Sequence, residues 1–211
     1  MTHRHSPSSY STRILAAENL ERRGEDPREG LRQACRDLDA ALEIAPDSIP
    51  ALLSSAMARV QVGNADMRRG IDPGADFARA LEQLDAVLDR RPGHVRALSQ
   101  RAQMLVLQGK LRSKSGETFE EVFAAALADL ERAAAGQESD PSSRILRGEA
   151  CLGLGIARIA SRRDAGTAFS DAVAHFSAAI AVAPGIARYH NGRGLALWRL
   201  GEREDPADRD A

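Results

Sequence analysis

Arg68-Arg69-Gly70-Ile71-Asp72-Pro73 reads as a stop followed by a start. Arg suits the last turn of a helix, and Gly just beyond it accepts the left-handed conformation that ends one. Asp then suits an N-cap, and Pro the first position of the next helix. The same order appears 46 residues earlier as Arg22-Arg23-Gly24-Glu25-Asp26-Pro27. At the same step in the other direction, Ser115-Gly116-Glu117-Thr118 fills the slot, and after it Asp164 takes the capping position.

Working outward, the step of 46 holds along the chain. Ala56, Ala102, Gly148 and Gly194 fall on it, as do Gly63, Gly109, Gly155 and Gly201. Ala34, Ala80, Ala126 and Ala172 form a third series, with Leu31, Phe77, Phe123 and Phe169 before it and Leu38, Leu84, Leu130 and Phe176 after it. Pro46, Pro92 and Pro184 form a fourth, with Glu138 in the remaining slot. A fixed period of this kind marks stacked supersecondary units. Inside one unit, Phe77, Ala80, Leu81, Leu84, Val87 and Leu88 share one face of a helix. Ala51, Leu52, Ala56, Val60 and Gly63 predict another helix ahead of the turn. No stretch alternates with period two, so the expected class is all-α. The register divides the chain into a tail expected to be disordered (1–7), four units (8–46, 47–92, 93–138 and 139–184) and a partial fifth (185–211).

The composition fits such an array. Among 211 residues there are 38 Ala and 17 Gly, and aromatics make up only 4%. The core must therefore come from close backbone approach, which small residues permit at helix crossings of about 8 Å. Lys+Arg total 29 against Asp+Glu 30, which lacks the basic excess that nucleic-acid binding needs. No apolar run approaches the roughly 18 residues of a membrane span, and Met1 to Thr12 lacks the apolar core of a secretory signal. A cytoplasmic protein without nucleic-acid or membrane partners is the expectation.

The residue pattern resembles the tetratricopeptide repeat. That family sets a small residue, a Gly seven later, an Ala, a large apolar residue, a small one and a Pro. Here those slots read Ala56, Gly63, Ala80, Leu84, Val87 and Pro92 in one unit, and Gly148, Gly155, Ala172, Phe176, Ala179 and Pro184 in another. Twelve extra residues lie between the Gly and the Ala, which lengthens both helices of the hairpin. The resemblance covers about residues 8–205 and implies an α-α superhelix, a right-handed solenoid of helix-turn-helix repeats. HEAT-type repeats share the unit length and are the alternative. Long repeats with such linkers resemble those of multidomain bacterial proteins, often with serine/threonine kinases.

Few residues invite a chemical role. Arg101, Arg147 and Arg193 recur at one slot, and Asp37, Gln83, Asp129 and His175 recur in the second helices. Recurrence in every unit favours pairs that tie hairpins together, such as Asp129 with Arg101 or Arg147, over an anion-binding ladder. His3, His5, His94, His175 and His190 show no metal-ligand spacing. Cys35 and Cys151 lie in different units at apolar slots, which suits small core residues better than a disulfide. Gly153-Leu154-Gly155 lies inside a predicted helix with no strand before it, which argues against a nucleotide loop. No catalytic residue, cofactor or metal is expected, and the chain reads as non-enzymatic.

The resemblance implies that first helices line a concave groove. Its expected positions are Arg96, Ser99, Gln103, Val106 and Leu107 in the third unit, Ser142, Ile145, Glu149 and Leu152 in the fourth, and Arg188, Asn191, Leu195, Trp198 and Arg199 in the fifth. The family's clamp for C-terminal carboxylates is not implied, because Leu53, Met57, Ser99 and Gln103 occupy its slots. A mixed apolar and Arg-containing groove suits a protein or peptide partner with apolar anchors and acidic character. The expected function is therefore a protein-interaction scaffold. The alternative is a docking or regulatory segment of a larger bacterial signalling enzyme such as a kinase. Trp198, with Leu195, Leu197 and Leu200, sits on a helix without a covering partner, so end-to-end self-association is a further expectation.

Overall fold

A computed structural model describes residues 26–115, 119–134 and 141–204. The expected tail, the first helix of the first unit, the turns at 22–25 and 116–118, and positions 205–211 lie outside the described residues. The described residues form helices and connecting turns, with no strand. The helices are α1 (Arg28–Ile44), α2 (Ile49–Met67), α3 (Gly74–Arg90), α4 (Val95–Ser115), α5 (Glu120–Ala134), α6 (Pro141–Ala160), α7 (Gly166–Val182) and α8 (Ala187–Glu204). The chain packs as two compact units, 1–100 and 101–211.

In the first unit, α2 packs against both α1 and α3. Leu31, Cys35 and Leu38 of α1 meet Ala58 and Val62 of α2. Gly63 lies against Phe77 so closely that a Cβ would fall 2.2 Å from the ring, which is why the slot needs glycine. Arg59 ties the three helices together, bonding Asp39 of α1 at 2.6 Å and Asp76 of α3 at 3.4 Å.

In the second unit, α6 packs against α5, α7 and α8, and α7 packs against α8. Ala102, Val106, Phe123, Ala126, Leu130, Ala150 and Leu154 form its main core. Phe123 lies between two glycines: a Cβ would come within 2.6 Å of its ring from Gly109 and within 2.3 Å from Gly153. Gly155 faces Phe169 at 2.4 Å by the same measure. Both glycines of the Gly153-Leu154-Gly155 run are therefore seats for phenylalanine rings, which accounts for them without a ligand.

The turn aspartates, the expected N-caps, act one residue before the observed N-cap, which falls on Pro27, Pro73 and Ala165 without a side-chain cap bond. Asp26, Asp72 and Asp164 accept the backbone N–H of Arg28, Gly74 and Gly166 at 3.1, 3.0 and 3.2 Å. The hydrogen bond from the Arg28 side chain, added to that backbone bond, lowers the Asp26 pKa to about 2. At the end of α2, Gly70 donates to the Met67 carbonyl and Ile71 to the Asp66 carbonyl, with Gly70 at φ 73°. This is the paired bonding of a Schellman cap. After α6 the same two bonds run from Arg162 to Ile159 and from Arg163 to Arg158. Arg162, two repeats on from Gly70, takes φ 54° with a side chain that resists it. Arg162→Gly is therefore expected to stabilise the fold by about 0.5–1.5 kcal/mol, read as a raised denaturation midpoint. An unchanged or lowered midpoint would contradict the strain.

Polar pairs recur at the repeat step too. Gln83 donates to Ser55 Oγ at 2.8 Å, and Arg101, 46 residues on from Ser55, grips both oxygens of Asp129 at 2.6 and 2.7 Å. The next pair of slots holds Arg147 and His175. Burial, and then Arg147, lower the His175 pKa, which favours the neutral ring. Arg147 itself donates to the Leu130 carbonyl at 2.9 Å. At another pair of slots the charges exchange. Arg28 of α1 meets Asp66 of α2 at 3.4 Å, whereas Glu120 of α5 meets Arg158 of α6 at 3.2 Å. These contacts give Arg101 and Arg147 of the arginine series structural partners.

Candidate protein-binding pocket

A cavity of about 340 Å³ opens within the second unit, between the C-terminal part of α4 and helices α6 and α8. Phe119, Phe123, Leu152, Ile156, Phe176 and Leu195 give it apolar walls. Gly153 and Gly192 are part of the lining, and each seats a phenylalanine ring of the wall. A Cβ at Gly192 would meet Phe176 at 2.5 Å, and one at Gly153 would meet Phe123.

Three charged side chains sit at its rim. Glu149 of α6 is 8% exposed and accepts from Lys110 of α4 at 2.7 Å through Oε2 and from Arg188 of α8 through Oε1. The two cations remain open to solvent, with 47% of the Lys110 side chain and 65% of the Arg188 side chain exposed. Both oxygens of the buried acid are engaged, while Lys and Arg each carry further donors. The rim therefore offers mainly hydrogen-bond donors and one net positive charge. Chemically, the pocket can take a bulky apolar side chain and a carboxylate beside it. Its volume is at the small end of the roughly 300–1,000 Å³ of ligand sites, which fits a side-chain anchor.

The expected groove positions divide three ways. Glu149, Leu152, Arg188, Asn191 and Leu195 line this pocket together. Val106 and Ile145 do not face a groove and are corrected to core. Val106 is 2% exposed and packs with Phe119 and Phe123, and Ile145 is 8% exposed and packs with Ala179 and Tyr189. Helical spacing assigns them to the right helices, but neighbouring helices cover more of each circumference than a single stripe. The others lie outside the pocket lining. Gln103 is exposed and Leu107 half-buried on α4, and in the first unit Arg96 is exposed and Ser99 half-buried. The side chain of Ser142 lies outside the described residues. Trp198 is 56% exposed with the Arg199 guanidinium 4.6 Å from its ring centre, and Arg199 also bonds Glu202 at 3.0 Å.

Lys110, Ser113 and the phenylalanines of the pocket are not among the expected positions. A signal for the rim does exist in the sequence. Lys110, Glu149 and Arg188 are each 39 residues from the next, one repeat forward and two helical turns back. That spacing draws a diagonal across three successive first helices. The other candidates stay structural. Cys35 and Cys151 are free and buried, and burial raises their thiol pKa values to about 11 and about 12. His94 accepts the Ala97 N–H at 3.2 Å, and His190 bonds the Pro184 carbonyl at 2.8 Å. His3 and His5 lie outside the described residues. Among the described residues no cluster of His, Cys, Asp and Glu could hold a metal, and no helix is long and apolar enough to cross a membrane.

Antiparallel helices stacked in this order, with small residues at the crossings, define a helical-repeat protein. The tetratricopeptide repeat family model matches residues 74–112 and 159–205, in each case including one second helix and the first helix that follows. Over those two stretches the chain carries tetratricopeptide repeats. The chain is similar to the solved structure described as the MamA RS-1 ArsTM double mutant, with TM-score 0.57 and 18% identity over 94% of this chain and 87% of that one. It is also similar to MamA 41-end from Desulfovibrio magneticus RS-1, at TM-score 0.49 and 18% identity over 96% and 97% of the two chains. No curated protein matches the sequence.

Proposed function

We propose that the chain is a non-enzymatic protein-interaction scaffold whose second unit seats a partner segment in the pocket between α4, α6 and α8. The carrying observation is the combination of an apolar hollow of about 340 Å³ with the donor-rich Lys110–Glu149–Arg188 rim. Tetratricopeptide repeats support the reading at the level of class. The pocket narrows it to an apolar anchor accompanied by an acidic side chain, in the manner of groove-bound peptides. Pull-down from the source cells with wild type and Leu195→Glu tests it. Leu195 is half-buried on the pocket wall, and a carboxylate there opposes both the apolar anchor and its acidic neighbour. The expected result is loss of the captured partners with helix content unchanged. An identical set of partners for both proteins contradicts the reading.

A further inference from the structure

The chain itself carries a segment with the chemistry that the pocket accepts. Ile44, the last residue of α1, is 87% exposed, more than any other large apolar side chain among the described residues. Glu43 and Asp47 flank it, both exposed. The other exposed apolar side chains lack this setting. Val182 stands between alanines, and Trp198 and Leu197 stand beside Arg199. Ile71 has Asp72 next to it but is 43% exposed, and Asp72 is committed to capping Gly74. Asp47 pairs with Arg90 of its own unit, which leaves Glu43 as the carboxylate best placed to meet a foreign cation.

We infer that a second copy of this chain is a partner of the pocket. Ile44 of one copy enters the pocket of the other, and Glu43 lies against Arg188 and Lys110 at its rim. The inference rests on the pocket being a protein-binding site. Its added content is the occupant. Knob and pocket are different surfaces on different units of the chain, so a single knob-in-pocket contact joins two copies through unlike surfaces. A helix end in a small hollow buries far less than the roughly 800 Å² per partner of a stable complex, so the association is weak and concentration-dependent.

Sedimentation equilibrium from about 10 µM to about 1 mM, the range of weak complexes, tests it. The weight-average mass of wild type is expected to rise with concentration. Ile44→Asp and Leu195→Glu are each expected to weaken the rise tenfold or more; Ile44 is almost fully exposed, and Leu195 is half-buried on the pocket wall without an ion-pair partner to strand. The decisive sample mixes the two. One variant keeps its pocket and the other keeps its knob, so the mixture is expected to form heterodimers that neither forms alone. A wild type that stays monomeric throughout overturns the inference, as does a mass rise unaffected by Ile44→Asp or a mixture that gains no mass. A monomeric wild type whose pocket still captures other proteins in the pull-down overturns only the self-pairing.

Discussion

Arg101→Ser is expected to cost about 3 kcal/mol, because it strands the carboxylate of Asp129, whose side chain is only 3% exposed. The value is at the low end for breaking a buried pair, since Arg132 still stands 3.5 Å from the same carboxylate. The repeat supplies its own control. One unit earlier the same slots hold Ser55 and Gln83, joined at 2.8 Å without any charge. Arg101→Ser combined with Asp129→Gln transplants that neutral pair and is expected to return to within about 1 kcal/mol of wild type. Urea unfolding followed by helical circular dichroism measures both. If the double variant is as unstable as the single one, the two slots are not interchangeable and the account of the pair fails.

Phe123→Ala is expected to cost about 3–5 kcal/mol, as the ring is 1% exposed and belongs to the main core of the second unit. The same ring makes Gly153 sensitive. Gly153→Ala places a Cβ within 2.3 Å of it, and Gly109 sets a second helix backbone against the same end of the ring. Overpacking of this kind costs about 1–3 kcal/mol. The two changes are expected to be non-additive. In a Phe123→Leu background the clash is relieved, so Gly153→Ala should then cost well under 1 kcal/mol, because neighbouring residues couple. Thermal midpoints of the four proteins decide the matter, and equal losses in both backgrounds would contradict the ring-on-glycine seat.

The period of 46 makes the helices and their small-residue crossings legible in the sequence. Ala34, Ala80, Ala126 and Ala172 are all fully buried, as a crossing slot requires. The turns are legible to within one residue: Asp72 and Asp164 accept from the backbone two residues on, while the N-caps fall on Pro73 and Ala165. Arg162 is less so: a register that places glycine at residue 70 offers no reason for an arginine at φ 54° two units later. The pocket is half visible. Glu149, Leu152, Arg188, Asn191 and Leu195 follow from the faces of the first helices. Lys110 and the rings of Phe119, Phe123 and Phe176 do not, because a hollow is defined by where side chains stop short. Gly153 and Gly192 seat two of those rings, and the period of 46 marks neither, since Leu107 and Leu146 hold the slots one repeat earlier. Val106 and Ile145 fail for the converse reason, as neighbouring helices cover their sides of α4 and α6.

Site-specific photo-crosslinking in the cells that make the protein tests the central claim most directly. A benzophenone side chain replaces exposed Asn191 at the pocket or, as a control, exposed Ser170 on α7. The account predicts protein adducts from position 191 that disappear with Leu195→Glu or Arg188→Glu, and none of those adducts from position 170. Adducts that are the same from both positions, or that persist in the pocket variants, would contradict it.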